Sequence, residues 1–345
     1  MLESPKLSIC LATYNRGMFI GETLDSILSQ LQPGVELVVV DGASPDNTSE
    51  VMAQYLQRYP QIRYYREQEN SGIDKDYDKA VGYAKGEFCW LMTDDDLLHP
   101  SAINRVIVTL EDELDLVVVN AEVKNADFSK TLDATLIKLP ADKKFDARNN
   151  EDFFEKTVQG LSFIGCVIIR RELWLSRNRT LYYGTLFIHV GVIFQDPVVV
   201  KSTVISEPLI TIRYGNAMWT PRSFEIWMFK WPELIWSFNA YSEKTKALVY
   251  PREPWRKIRL LALYRALGGY GMTEYRKFLL GKVFGLLRLQ CLFVAIVPAI
   301  AMNMLISLHC VLINRSAKSA MYSLLKSRHA NLVTRFAANI LDVGN

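Results

Sequence analysis

Apolar runs and amphipathic stretches alternate from the start of the chain. Leu7-Ser8-Ile9-Cys10-Leu11 reads as a short buried strand. Ile20, Leu24, Ile27, Leu28 and Leu31 follow at the three- and four-residue spacing of a helix. Residues 36–40 repeat the strand signal and end on Asp41 and a turn-rich run, Gly42-Ala43-Ser44-Pro45-Asp46. Val51, Met52, Tyr55, Leu56 and Tyr59 mark a second helix, and residues 62–65 a third strand. A helix over 76–84 stops at Lys85-Gly86, and residues 88–92 form a strand that runs into Thr93-Asp94-Asp95-Asp96. His99-Pro100-Ser101 opens another helix, followed by a strand over 116–119. Strand and helix alternate over about 120 residues, and the strands lack a polar face. This predicts an α/β fold with a parallel sheet covered on both sides.

Ligands of such sheets bind beyond the carboxyl ends of the strands. Those ends carry Thr13-Tyr14-Asn15-Arg16, then Asp41, then Glu69-Asn70-Ser71-Gly72, then the three aspartates. Consecutive carboxylates at the end of an apolar strand repel one another, and unpaired burial is costly. A divalent cation removes the conflict, and oxygen donors suit Mg²⁺ or Mn²⁺. Such an ion can offset the charge on a departing diphosphate. Asp94 to Asp96 can also be read as a solvated turn capping the next helix, and Asp41 as the acceptor of an Asx-turn.

Composition refines this picture. Of 345 residues, 40 are Lys or Arg and 37 Asp or Glu, a net charge of +3 that argues against a dedicated nucleic-acid binder. The balance is uneven: residues 1–212 hold 21 basic and 31 acidic side chains (net −10), and residues 213–345 hold 19 and 6 (net +13). The second region therefore suits an anionic partner. Five cysteines stand singly among apolar residues, without disulfide or zinc spacing, as expected of buried thiols in a reducing compartment. The N-terminal residues lack the order of a signal peptide, so a cytoplasmic location is expected for the first region. Phosphate-loop, dinucleotide-binding, nucleophile-elbow and zinc-protease motifs are absent.

Four motifs in order, Ala12-Thr13-Tyr14-Asn15-Arg16, Val40 to Thr48, Glu69-Asn70-Ser71-Gly72 and Lys85-Gly86-Glu87 with Thr93 to Asp96, resemble those of GT-A glycosyltransferases of family 2. More narrowly, Tyr183-Gly184-Thr185 with His189-Val190, Lys201 with Glu207-Pro208-Leu209, and Glu253-Pro254-Trp255 are similar to bacterial abequosyltransferases. The resemblance implies a GT-A fold, a Rossmann-like, mainly parallel sheet between helices, over 1–212, with an α-helical appendage over 213–345. It places Thr13, Tyr14, Asn15, Arg16, Asp41, Ser44, Lys75 and Asp94 around a nucleotide-diphosphate sugar, Asp41 accepting from the base and Lys75 facing the ribose or diphosphate. It puts Asp95 and Asp96 on a divalent metal, Mn²⁺ or Mg²⁺, with Asp96 also catalytic. Thr93 stands where the family's L-D-x-D-D motif has an aspartate. The family's later carboxylate pair is missing, and the matching stretch carries His189, which serves either as the base for an acceptor hydroxyl or as a hydrogen-bonded or half-buried ring. Stereochemistry stays open. The implied reaction is transfer of a hexose or 3,6-dideoxyhexose to a lipid-linked oligosaccharide of bacterial surface polysaccharide. The nucleotide of the donor, and a non-catalytic glycan- or nucleotide-binding scaffold, remain as alternatives.

Trp219, Trp227, Trp231, Trp236 and Trp255 crowd into 37 residues, at spacing that suits a helical core, sugar stacking or a bilayer interface. Residues 289–314 hold no charge, yet Pro298, Asn303 and His309 interrupt the run, and a single crossing would carry a basic tail to the far side. A re-entrant or in-plane helix pair, with Lys277, Lys282, Arg288, Arg315 and Lys318 at anionic headgroups, is expected, against a buried core helix as the alternative. The protein is thus expected at the cytoplasmic face of the bacterial inner membrane, peripheral or monotopic.

Overall fold

A computed structural model describes residues 4–110, 113–218 and 220–344. Ten strands form one mixed sheet in the order β3-β2-β1-β4-β9-β6-β10-β5. They are β1 (Leu7–Thr13), β2 (Val35–Asp41), β3 (Arg63–Arg66), β4 (Phe88–Met92), β5 (Leu97–Leu98), β6 (Leu116–Lys124), β7 (Thr131–Asp133), β8 (Lys143–Asp146), β9 (Val167–Arg170) and β10 (Lys201–Arg213). β7 pairs with β6 and β8 with β10 off the main path. The helices that matter to the site are α1 (Ile20–Leu28), α2 (Thr48–Arg58), α3 (Ile73–Tyr83), α4 (Ala102–Thr109), α5 (Asn150–Thr157), α6 (Arg171–Ser176) and α7 (Ile188–Phe194).

β3, β2, β1 and β4 pair parallel with one another. The strand expected over 116–119 does not extend that array: β9 enters between β4 and β6 and pairs antiparallel with both. Residues 116–119 are a fully buried strand, as the apolar run predicts, but such a run carries no direction. All seven residues of β1 and all five of β4 are buried, and Trp90 in β4 donates its indole N–H to the Gly165 carbonyl at 2.8 Å. Gly86 sets the close entry to β4: a Cβ there would lie 2.5 Å from Ser8 Oγ and 2.7 Å from its backbone nitrogen. On α1, Ile20, Leu24, Ile27 and Leu28 face the core as the periodicity requires.

The chain divides into two compact units, 1–122 with 134–212 and 238–249, and 123–133 with 213–237 and 250–345. One break falls at residue 212, but segment 238–249 groups with the first unit rather than the appendage. Its Tyr241 ring stacks on Phe154 of α5 at 4.2 Å and Phe238 meets Phe194 of α7 at 5.9 Å. Segment 123–133 groups with the second unit, where the Ala126 N–H donates to Tyr322 Oη at 3.1 Å and Arg213 lies over the Phe128 ring.

The second unit is helical. Of the clustered tryptophans, Trp231 and Trp255 are buried and Trp227 meets Trp231 edge to face at 5.7 Å, which is core packing. Trp219 lies outside the described residues. Asn303, which interrupts the apolar run, is fully buried in helix Ala299–Leu312. Its Nδ2 donates to the carbonyls of Ala266 and Leu324 and to Ser327 Oγ at 3.1–3.3 Å, and its Oδ1 accepts from Thr334 Oγ1. One side chain thereby joins helices Ile258–Leu267, Ala299–Leu312, Lys318–Lys326 and Leu332–Ile340. Asn303→Leu removes these bonds and strands several buried partners, so a loss of about 2 kcal/mol or more is expected in urea unfolding followed by tryptophan fluorescence.

Candidate functional site

β1 and β2 pair in register so that Thr13 stands beside Asp41 at their carboxyl ends. The loop after β1 is tied to the loop after β2 by three backbone donors. Asn15 N–H donates to Ser44 Oγ at 2.9 Å, Arg16 N–H to Thr48 Oγ1 at 3.0 Å, and Gly17 N–H to Asp46 Oδ2 at 2.9 Å. Asn15 sits at φ 58°, a left-handed conformation that asparagine tolerates, and its side chain is exposed. Tyr14 beside it is half-buried.

Asp41 is without solvent exposure. Its Oδ1 accepts from the Ser44 N–H at 2.8 Å and its Oδ2 from Tyr64 Oη at 2.7 Å, with Arg66 Nε 3.8 Å away. The Asx-turn reading of Asp41 is thus what the fold displays, and Tyr64 and Arg66, which the sequence did not single out, hold it in place. Asp76 of α3 also enters this corner: a Cβ on Gly42 would lie 2.6 Å from its Oδ2. Burial pushes the Asp76 carboxyl above its ordinary range, against the pull of Ser71 and Lys79.

The aspartates after β4 are not a solvated cap. Asp94, Asp95 and Asp96 are 9%, 8% and 2% exposed, and α4 begins after Ser101 with no side-chain cap. Arg16 reaches across from the β1 loop, its Nε 3.5 Å from Asp94 Oδ1 and its Nη2 3.2 Å from Asp95 Oδ2. Burial and the neighbouring Asp95 raise the Asp94 carboxyl to about 7, while Arg16 and Thr13 oppose that rise. Asp96 accepts from Thr93 Oγ1, so the threonine that replaces the family's first aspartate buttresses the last one. Asp95 and Asp96 carry hard carboxylate oxygens of the kind Mg²⁺ and Mn²⁺ prefer, and Arg16 is shared between Asp94 and Asp95. The donor set fits a divalent ion. Among the described residues no group of three or more His, Cys, Asp or Glu side chains is placed to hold a metal ion; Asp95 and Asp96 are the acids of this corner that could contribute oxygens to one.

Lys75 projects from α3, exposed, with its ammonium 5.7 Å from the Tyr183 ring centroid. Two other acids of that helix were missed by the sequence reading. Asp74 accepts from the backbone N–H groups of Gly184, Leu186 and Ile188 at 2.8, 2.9 and 3.1 Å. Asp78 accepts from Trp174 Nε1 at 2.9 Å and Tyr183 Oη, and pairs with Arg179 at 2.7 Å. The signal was present: Asp74 and Asp78 are four residues apart beside the buried Tyr77 and Val81, so both acids lie on an inward-turned flank of the helix. They hold segment 179–188, which leads into α7, against α3.

His189 differs from the expected base. It is 1% exposed, and its Nε2–H donates to the Leu161 carbonyl at 2.7 Å. Burial lowers it to about 4, so the ring is neutral near pH 7, and its geometry is that of a buried packing residue rather than of a base open to an acceptor.

The family model described as "Glycosyl transferase family 2" matches residues 8–174. Curated relatives include the abequosyltransferase RfbV of Salmonella typhimurium, 26% identical over 61% of this chain and 67% of that protein. The putative glycosyltransferase EpsH of Bacillus subtilis is 27% identical over 47% of this chain and 46% of that protein, so that match spans about half of the relative's length. Among solved structures, S. aureus TarS 1–349 in complex with UDP superposes with a TM-score of 0.57 at 16% identity, covering 93% of this chain and 90% of that one. The mannosyltransferase PcManGT of Pyrobaculum calidifontis, in complex with GDP-Man and Mn²⁺, gives 0.52 at 17% identity over 94% and 86%. These likenesses establish the GT-A fold.

Two outcomes test the geometry of the site. Arg16→Met leaves Asp94 and Asp95 without their shared cation, and a loss of about 3 kcal/mol is expected in chemical unfolding at pH 8. His189 is held below its unfolded value of about 6.5. Between pH 6.5 and 4 the unfolded chain takes up a proton that the folded ring refuses, so this contribution to stability falls as pH falls. His189→Gln removes that contribution, and its melting temperature should depend less on pH in that window than the wild type's.

Proposed function

We propose that the chain, whose residues 8–174 match the model of glycosyl transferase family 2, transfers a hexosyl or 3,6-dideoxyhexosyl unit from a nucleotide-diphosphate sugar to a lipid-linked oligosaccharide. The observation that carries this reading is the convergence of Arg16, Asp94 and Asp95, with Asp96 beside them, at the ends of the adjacent strands β1 and β4. The similarity to RfbV, whose name is abequosyltransferase, supports a 3,6-dideoxyhexose donor and assembly of an O-antigen-like surface polysaccharide. The acceptor then places the protein at the cytoplasmic face of the inner membrane.

In this reading the nucleotide lies along the carboxyl ends of β1 and β2. Asn15 and Tyr14 offer surface to it, and the Ser44–Asp41–Tyr64 chain keeps the corner rigid. Lys75 leaves the Tyr183 ring to meet a diphosphate, since a phosphate oxygen is a stronger partner for an ammonium than an aromatic face. Asp95 and Asp96 hold the divalent ion, which when bound supplies Lewis-acid stabilisation of the leaving diphosphate. Arg16 limits the repulsion between Asp94 and Asp95 before donor arrives. Asp74 and Asp78 position the 179–188 segment, and His189 orients the start of α7 through Leu161.

A thermal-shift panel of CDP-, UDP- and dTDP-sugars, each with and without Mn²⁺, identifies the donor: the cognate one at a hundred times its Kd should stabilise by about 2.7 kcal/mol. Asp96→Ala is expected to lose about a hundredfold or more in transfer and to bind donor without the Mn²⁺-dependent increment. Wild-type turnover by Asp96→Ala would refute the assignment, and donor binding by the native chain without turnover would favour a non-catalytic scaffold.

A further inference from the structure

The helical unit is patterned inside out. Along helix Gly285–Ile296, Leu286, Leu289, Phe293 and Ile296 recur every three or four residues and stay exposed, while Cys291, Val294 and Ala295 face inward. Helix Ala299–Leu312 buries Asn303 and Ser307 yet exposes Leu305 and Leu312. Helix Leu332–Ile340 packs against it, buries Thr334 and exposes Leu332 (83%) and Phe336 (67%). Buried polar groups satisfy one another, as in Thr334 to Asn303, and large apolar side chains point away from the protein. Soluble monomers rarely line successive helices with exposed large apolar side chains in this way.

Charge says what covers it. From Tyr275 to Asn345 there are nine Lys or Arg and a single acid, Asp342, which is paired with Lys130 at 2.5 Å. Arg276, Lys277, Lys282 and Arg288 lie around the start of the first helix, and Arg315 and Lys318 follow the second. A second copy of this chain docking face to face would set these cations against their equivalents, whereas anionic phosphates neutralise them. The two long helices meet at 103° after 12 and 14 residues. At about 1.5 Å per residue neither reaches the roughly 30 Å of a hydrocarbon core. No helix among the described residues is long and apolar enough to cross a membrane.

We propose that the bent pair Gly285–Ile296 and Ala299–Leu312, together with helix Leu332–Ile340, is a monotopic docking surface for an anionic bilayer. The helices lie in the interface plane, with their apolar faces at the acyl boundary and the flanking lysines and arginines at phosphate depth. This deepens the lipid-linked acceptor reading and rests on it for its purpose; the surface itself is argued from exposure and charge.

The test is co-sedimentation of the full chain with phosphatidylcholine vesicles with and without phosphatidylglycerol, at low and high salt. Binding to the anionic vesicles is expected, weakened about tenfold or more by omitting phosphatidylglycerol or by raising salt. Phe293→Glu should weaken it by a similar factor with the melting temperature unchanged, because the side chain it replaces is exposed; Leu332→Glu carries the test if Phe293→Glu melts early. Arg288→Glu with Lys318→Glu should weaken binding and flatten its salt dependence. Equal binding to neutral vesicles, indifference to both glutamate variants, or a stable dimer in light scattering that Phe293→Glu dissociates would each overturn the proposal. Donor thermal shifts, measured without vesicles, report on the transferase reading separately.

Discussion

Carboxylates buried at the carboxyl edge of a sheet must be neutralised, and the organisation of the first unit follows from that. β4 drives three consecutive aspartates into a nearly dry corner because all five of its own residues are core. Desolvation and mutual repulsion raise Asp94 to about 7, and Arg16 is the cation that the structure sets between Asp94 and Asp95. Arg16 can reach them only because the loop after β1 is pinned by Ser44, Thr48 and Asp46. The β2–α2 turn therefore acts on the acidic cluster through a backbone it never shares. In the proposed reading, a corner held this way is preorganised for a ligand that brings both a divalent cation and a diphosphate.

The same device recurs where no reaction is assigned. Asp41 holds its turn by one backbone N–H and one phenol, and Asp74 gathers three backbone N–H groups at the entrance to α7. A carboxylate that gathers several such donors ties the segments carrying them to its own element. α3 is thereby both a wall of the corner after β2, through Asp76 beside Gly42, and the anchor of segment 179–188, through Asp74 and Asp78.

The second unit solves a different problem. Its helices meet through hydrogen-bonded asparagine, serine and threonine, and through packed tryptophans, while leucines and phenylalanines remain outside. Polar contacts between helices hold their value where the surroundings are apolar. Docking of the proposed kind would put both the interior network and the outer face in the environment that suits them.

By itself the sequence determined the strand ends and the four motifs that resemble the family, and it put Arg16, Asp41 and Asp94 to Asp96 at the ends of neighbouring strands. Those features are local: a fully apolar run announces a buried strand, and the polar residues after it are carried to the sheet edge whatever lies elsewhere. Tertiary structure alone decided that β9 would turn the sheet antiparallel beyond β4. It also decided that His189 would be sealed against Leu161, that Asp74 and Asp78 would bind segment 179–188, and that Trp231 and Trp255 would fill a core. It decided, too, that Asn303 would join four helices while its apolar neighbours faced outward. Periodicity reports which face of an element a side chain occupies. What waits opposite that face depends on contacts between residues far apart in the chain, and only the folded structure brings those together.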